Sequence, residues 1–153
     1  MITRRSFVHA LGALAALGML APARAQYAPT MSVYMSPACG CCGEWQKRMR
    51  ASGFRLETQK LGDVVPMKRK LGVPESLYSC HTATVGGYVI EGHVPAADIR
   101  RLLRERAKVT GLAVPGMVAG SPGMEQGPPR PYATLAFDER GSRVFERHSD
   151  GPR

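Results

Sequence analysis

Met31 to Trp45 read MSVYMSPACGCCGEW, and this stretch decides the fold. Its first five residues predict a short strand, and Ser36-Pro37 predicts the turn that follows. Three cysteines then lie within four positions, at Cys39, Cys41 and Cys42. Since the whole chain has only four cysteines, this concentration at the end of one strand indicates a functional site.

Composition indicates an ordinary globular protein. The chain has 153 residues, of which 44% are hydrophobic and 22% charged, and this suits one domain with a real core. The formal net charge is +9 at pH 7. The basic residues are spread along the chain without interleaved aromatic side chains, so the composition argues against nucleic acid as a partner.

The N-terminus has the order of a signal peptide. Arg4-Arg5 precede an apolar run, residues 10–20, and Ala23-Arg24-Ala25 then has the small-x-small pattern of a cleavage site. Paired arginines favour the twin-arginine route, and the run is too short for a convincing membrane span. We therefore expect a signal peptide over residues 1–25, a single mature domain over residues 26–153, export to the periplasm, and no membrane anchor after cleavage.

The mature chain predicts strand, helix, strand, helix, hairpin and helix in that order. The predicted helices are 42–52, 65–71 and 96–109, and the predicted strands after the first are 54–61, 82–85 and 88–91. This order is typical of a thioredoxin-like α/β domain, in which a mixed sheet is flanked by helices. The segment that enters the third strand of such a domain lies beside the cysteine motif, so we expect Cys80 to join the cluster.

The chain changes character beyond Gly111. Residues 114–131 read VPGMVAGSPGMEQGPPRP, and so much Gly and Pro predicts an irregular loop. The loop contains Met117 and Met124, which are either gap-filling core residues or soft thioether ligands. Residues 132–137 and 143–147 then predict a terminal β-hairpin.

The cysteine cluster combines features of redox and metal sites. Its predicted place at a helix start favours thiolates, because the helix dipole stabilises negative charge there. Cys39 and Cys42 have the C-x-x-C spacing of disulfide exchange enzymes, but a third thiolate at Cys41 would invite scrambling. With Cys80, the cluster forms a soft pocket that suits several bridged Cu(I) ions, although zinc and iron–sulfur clusters also accept four thiolates.

Three histidines follow the predicted signal peptide. His93 follows the fourth predicted strand, at a turn expected close to the cysteines, so it is a candidate ligand. His81 would point away from Cys80 if both residues were extended, which favours a structural or supporting role. His148 is near a loose end and is predicted to be inert.

Four motifs together resemble the CopG family of bacterial copper-resistance proteins. They are Cys39-Gly40-Cys41-Cys42 with Trp45, Ser79-Cys80-His81-Thr82, Glu91-Gly92-His93-Val94-Pro95, and Gly116-Met117 through Gly120-Ser121-Pro122-Gly123-Met124-Glu125. The resemblance implies a periplasmic, thioredoxin-like protein that holds a cysteine-bridged copper cluster and changes copper between Cu(I) and Cu(II). It departs at Val118, where the family pattern has proline. The metal ligands it implies are Cys39, Cys41, Cys42 and Cys80, with His93, Met117 and Met124 as second-tier candidates.

Three functions remain open at this point. The first is a copper-binding protein of copper resistance with a multinuclear Cu(I) site, which would be a copper oxidoreductase if it interconverts Cu(I) and Cu(II). The second is a thiol–disulfide oxidoreductase, and the third is a passive copper carrier without turnover. Copper ions are the expected partners, together with other periplasmic copper-handling or redox proteins. Two purely structural disulfides are disfavoured, because three cysteines within four residues fit disulfide geometry poorly.

Overall fold

A computed structural model of the chain describes residues 28–149. The predicted signal peptide lies outside the described residues. The strands are β1 (Thr30–Met35), β2 (Arg55–Lys60), β3 (His81–Val85), β4 (Tyr88–Gly92), β5 (Gly111–Val114), β6 (Tyr132–Asp138) and β7 (Gly141–His148). The helices are α1 (Gly40–Ala51), α2 (Val65–Lys70) and α3 (Ala96–Glu105), with a 3-10 turn at Glu75–Leu77.

All these strands form one mixed sheet in the order β2-β1-β3-β4-β5-β6-β7. The pairs β1–β2 and β4–β5 are parallel, and the other neighbouring pairs are antiparallel. The predicted α/β class with a mixed sheet is therefore confirmed, and the arrangement is compatible with a thioredoxin-like domain. In residues 28–149, no helix is long and apolar enough to cross a membrane.

The core lies between the sheet and helices α1 and α3. Met31, Val33 and Met35 are buried on β1, and the residues between them are partly exposed, which is the alternation of a half-buried strand. On α1, Trp45 and Met49 are four residues apart and both are buried, so they share the helix face that packs on the core. The Trp45 indole N–H donates a hydrogen bond to the Val94 carbonyl oxygen at 3.0 Å, which fixes α1 against the segment after β4.

After β4, one expectation is wrong and one strand was not predicted. Helix α3 ends at Glu105, and not at residue 109, because Arg106 adopts a left-handed conformation with φ of 51° and its N–H caps the Leu102 carbonyl. Residues 111–114 form the buried strand β5 between β4 and β6, so only Val114, the first residue of the predicted loop, belongs to a strand instead. Gly111 is required there, since a Cβ atom at this position would lie 1.9 Å from the Val89 carbonyl oxygen.

Strand register explains how distant residues converge. In the β1–β3 pair, Met35 lies opposite His81, so the turn that carries the cysteines leaves β1 beside the start of β3. In the β3–β4 pair, Thr82 lies opposite Glu91. Continuing this antiparallel register by two residues places Cys80 opposite His93, because opposed positions run in opposite directions along the two strands.

Candidate metal centre

The cysteine motif occupies the first turn of α1. Cys39 is the N-cap residue of the helix, and it forms a disulfide with Cys42 across a Cα–Cα distance of 5.4 Å. Cys41 and Cys80 are free thiols. The C-x-x-C spacing is compatible with a dithiol and with a disulfide, and in the structure the pair is oxidised.

Cys80 joins this cluster as predicted. Its Sγ lies 3.8 Å from the Cys41 Sγ, and the Cys41 Sγ lies 3.6 Å from the Cys39 Sγ. All four cysteine sulfurs lie within 4.8 Å of one another. Once the Cys39–Cys42 disulfide is reduced, two segments of the chain therefore supply a four-cysteine cluster that can hold a metal ion.

Two buried histidines approach the Cys80 sulfur. The His93 Nε2 is 3.0 Å from this Sγ, and the His81 Nδ1 is 3.3 Å from it. The expected opposite orientation of Cys80 and His81 is wrong, because Cys80 precedes β3 and is not part of the extended strand. The His81 ring also packs against Trp45, with ring centroids 4.3 Å apart.

Burial keeps both imidazoles uncharged. Desolvation lowers the pKa of His81 well below its ordinary value, and the neighbouring His93 and Lys68 lower it further. Desolvation also lowers the pKa of His93. Since a metal ion binds the neutral imidazole, both rings are in the ligand-competent form at neutral pH.

The Cys80 thiol is protonated in the metal-free protein. Burial is the main cause, and the nearby Cys41 adds to it, so that the pKa of Cys80 is raised to about 12. A metal that binds this sulfur must displace the proton, since the thiolate is the ligand form.

A buried ion pair between Lys68 and Glu91 holds the residues that flank Cys80 and His81. Lys68 and Glu91 are 2% and 0% exposed, and the Lys68 Nζ lies 2.6 Å from the Glu91 Oε1. The Glu91 carboxylate also accepts hydrogen bonds from the Ser79 N–H and the Thr82 hydroxyl, each at 2.6 Å. The residues on both sides of Cys80 and His81 are thus held by one carboxylate. This pair was not predicted from the sequence, although a glutamate in the otherwise apolar strand β4 is a signal of a buried charge.

The loop after β5 covers the centre. The Pro122 carbonyl oxygen lies 2.8 Å from the His93 Nδ1, and Glu125 binds Arg48 of α1 at 3.0 Å. Met117 is 59% exposed and Met124 is half-buried. Among residues 28–149, no hydrogen bond joins either thioether to a cysteine, and their role as ligands stays a prediction.

Gly123→Ala should separate this loop from α1. Gly123 has a φ of +86°, and an added Cβ would lie 2.6 Å from the Trp45 backbone nitrogen. We expect a lower thermal midpoint, measured by circular dichroism, and a changed NMR signal of His93. Gly127→Ala is the matched control, because Gly127 has a φ of +82° and nothing lies within 4 Å of its added Cβ. The left-handed backbone costs of order 1–3 kcal/mol in both variants, so an equal loss in both would mean that the Gly123 contact is unimportant.

His148 is anchored, contrary to the expectation of a loose end. Its Nε2 lies 3.0 Å from the Asp98 carboxylate, and the Thr134 hydroxyl donates to the same carboxylate oxygen at 2.5 Å. The Tyr132 ring stacks on the imidazole at 4.5 Å. These contacts attach the β6–β7 hairpin to α3.

Comparison with known proteins identifies the family. The chain is similar to two solved structures of copper resistance protein copG, Form 2 and Form 1, with 42% identity to each and TM-scores of 0.76 and 0.75. Each comparison covers 80% of this chain and 99% of the matched chain. The chain belongs to the CopG family. This CopG-family chain also matches, over residues 77–124, a family described as "Protein of unknown function, DUF411", and that range includes Cys80, His81 and His93. No curated protein matches it.

Proposed function

We propose that this protein binds copper in the periplasm on the sulfurs of Cys39, Cys41, Cys42 and Cys80, as part of copper resistance. The observation that carries the proposal is the convergence of four sulfurs within 4.8 Å of one another. Metal–thiolate bonds of about 2.3 Å put two sulfurs on one metal roughly 3.8–4.6 Å apart. The Cys41–Cys80 separation of 3.8 Å fits a shared ion with little rearrangement, and thiolates prefer Cu(I).

The disulfide adds a redox step to this function. Reduction of the Cys39–Cys42 bond by an external dithiol takes up two electrons and supplies two more thiolates. The reverse reaction can reduce copper: two Cu(II) ions accept one electron each, two thiolates become the disulfide, and two Cu(I) ions result. The protein would in this way reduce Cu(II), with Cys39 and Cys42 as the electron store. In the opposite direction, two Cu(I) ions would give one electron each to the disulfide and become Cu(II), which completes the proposed interconversion.

Cys41→Ser tests the copper site. We expect the reduced, anaerobic variant to bind fewer Cu(I) ions per chain than the natural protein, measured by elemental analysis after desalting. The reason is that Cys41 bridges the α1 sulfurs and Cys80. The Cys39–Cys42 disulfide should still form in the variant, as thiol counting after reoxidation would show. A natural protein that binds no copper with all four thiols free would contradict the proposal.

A thiol–disulfide oxidoreductase is the second candidate. The Cys39–Cys42 disulfide at the first turn of α1 is the observation in its favour, because helix starts activate thiols. It predicts reduction of insulin disulfides that is lost in Cys39→Ser and kept in Cys41→Ser. A passive copper carrier would share the metal site but show no thiol-dependent reduction of Cu(II) to Cu(I).

The place of action follows from the predicted export signal. We propose that residues 1–25 are removed and that the mature domain works with other periplasmic copper-handling or redox proteins. N-terminal sequencing of the protein from a periplasmic extract tests this, and a mature chain that begins at Gln26 is the expected result.

A further inference from the structure

We propose that a groove between α1, α3 and β7 is the docking surface for an acidic segment of a partner protein. The groove has a volume of about 940 Å³, and five arginines line it: Arg48, Arg100, Arg101, Arg104 and Arg147. We call it the arginine groove. The inference goes beyond the proposed function and does not depend on it, because none of the four cysteines lines this groove.

The fold brings together arginines that are far apart in the sequence. Helix α1 contributes one of them, α3 contributes three and β7 contributes one. The His148 Nε2 lies 3.0 Å from the Asp98 carboxylate, and this contact holds β7 beside α3, so that the two walls of the groove keep their positions. Asp98 and Glu146 are the carboxylates that line the groove, so cations outnumber anions there.

Two of the five arginines have no anionic partner in the protein itself. Arg104 and Arg147 are both exposed, and neither side chain forms an ion pair or a hydrogen bond with another residue of the range 28–149. Arg101, in contrast, binds Glu105 at 2.9 Å and Glu146 at 2.8 Å. A cleft lined by charges of one sign concentrates their field and attracts ligands of the opposite sign. The arginine groove therefore suits an anionic ligand.

The Tyr132 hydroxyl is a further donor without an acceptor. Tyr132 lines the groove, and its buried hydroxyl oxygen has no hydrogen-bond partner in the described part of the chain. Burial raises the pKa of Tyr132 to about 12, and the nearby Asp98 and Glu125 carboxylates add to this effect, so the hydroxyl keeps its proton. An unsatisfied buried donor is unfavourable, and a carboxylate bound beside Tyr132 would supply the acceptor that it lacks.

The spacing of the arginines fits an extended acidic peptide. Arg100 and Arg104 are four residues apart on α3, which is about 6 Å along the helix axis. Alternate side chains of an extended peptide lie on one face, about 6.6 Å apart. Carboxylates at every second position can therefore meet successive turns of α3, whereas one small anion would reach only part of the groove. A flat membrane surface would meet the rim and leave the concave wall unoccupied.

The arginine groove adjoins the loop that covers the metal centre. Pro122 lines the groove, and the carbonyl oxygen of the same residue lies 2.8 Å from the His93 Nδ1. Arg48, on the α1 side of the groove, binds Glu125 of this loop at 3.0 Å. A protein docked through its acidic segment would therefore lie next to the metal centre.

Fluorescence anisotropy with a labelled peptide of alternating glutamate and serine tests the inference. The metal-free full chain is used, so the result is independent of copper binding and its failure would leave the proposed function unaffected. We expect saturable binding of one peptide per chain. Binding should weaken at least about tenfold when salt is raised from about 0.1 M to about 1 M, because the Debye length falls from about 10 Å to about 3 Å. Absence of saturable binding would overturn the inference.

A double variant locates the binding surface. Arg104→Gln with Arg147→Gln removes the two unpaired cations, and we expect at least about fivefold weaker peptide binding, since each exposed charge contact is individually weak. The thermal midpoint should stay unchanged; if the double variant does not fold, each single variant replaces it, with a smaller loss of affinity expected. Unchanged affinity in the folded variants would contradict the inference.

The matched control removes the same charge outside the groove. Lys60 and Lys70 are exposed, and neither lines the arginine groove. Lys60→Gln with Lys70→Gln should bind the peptide as tightly as the natural protein does. An equal loss of affinity in the two double variants would mean that the peptide responds only to net charge, and this would overturn the inference.

Two other ligands distinguish the alternative occupants. Phosphatidylglycerol vesicles represent an anionic membrane, and citrate represents a small anion. We expect the peptide to bind more tightly than either of them. Vesicle binding without peptide binding would overturn the inference in favour of a membrane surface. Citrate that binds as tightly as the peptide would overturn it in favour of a small-molecule site.

Discussion

Cys80→Ser should lose nearly all high-affinity copper binding while keeping the fold. This sulfur is the member of the cluster contributed from outside α1, and it is also the contact point of the two histidines. Removing it takes away one of the four sulfurs of the proposed copper site and the atom that both histidines contact. We expect the Cu(I) affinity to fall by more than the ~10–100-fold that loss of a supporting contact costs, measured by competition with a coloured Cu(I) chelator.

The metal-free stability of the same variant provides the control. Serine is close to cysteine in size and the Cys80 site is partly exposed, so the substitution should create no buried cavity. The thermal midpoint should therefore change little. An unchanged copper affinity in a folded Cys80→Ser variant would mean that the α1 cysteines bind copper without Cys80. The proposed four-cysteine site would then be contradicted.

Lys68→Met should cause a large loss of stability. It leaves the Glu91 carboxylate, which is 0% exposed, as a buried charge without its cation. Breaking a buried pair in this way typically costs about 3–5 kcal/mol in the free energy of unfolding. Urea denaturation followed by circular dichroism measures the change.

Two further variants make the Lys68 prediction specific. Lys68→Met combined with Glu91→Gln removes both charges and should recover much of the lost stability. Arg69→Met is the matched control on the same helix, because Arg69 pairs with Glu75 at the surface, where the side chains are 66% and 71% exposed, and such pairs contribute little. A Lys68→Met variant as stable as Arg69→Met would show that the buried pair does not stabilise the fold.

The same pair should also affect the metal centre. Without the Glu91 carboxylate, the Ser79 N–H loses its acceptor, and the segment that carries Cys80 is less constrained. Glu91→Gln alone keeps an acceptor oxygen, so it should retain more copper affinity than Glu91→Ala. Comparing the two variants separates the positioning of Cys80 from the charge of Glu91.

The sequence predicted the fold best where the order of strands and helices determines which residues meet. The strand before Cys39 and the strand after Cys80 predict that these residues meet, because adjacent strands of one sheet carry them to the same edge. The Cys41–Cys80 sulfur–sulfur distance of 3.8 Å in the structure confirms this. The hairpin of predicted strands 82–85 and 88–91 and the start of the predicted helix at residue 96 are also confirmed, since each depends on local residues.

The features that were missed depend on contacts that no local pattern encodes. Strand β5, Gly111–Val114, has only four residues, and its partners lie far along the chain on both sides. Arg106 ends α3 in a conformation usually taken by glycine, so the sequence carries no stop signal there. The Cys39–Cys42 spacing permits both a dithiol and a disulfide. His81 was misjudged because the alternation of side chains applies only within a strand, and Cys80 lies just before one.

The convergence of α1 and β3 also bears on the lifetime of the protein. Cys41 and Cys80 are 39 positions apart, so an ion shared by their sulfurs would act as a reversible cross-link around a closed loop. Cross-links of this kind restrict the unfolded chain, and disulfides of comparable span typically stabilise by about 2–4 kcal/mol. Copper-loaded molecules should therefore resist proteases longer than empty ones, and abundance would rise with the supply of the metal.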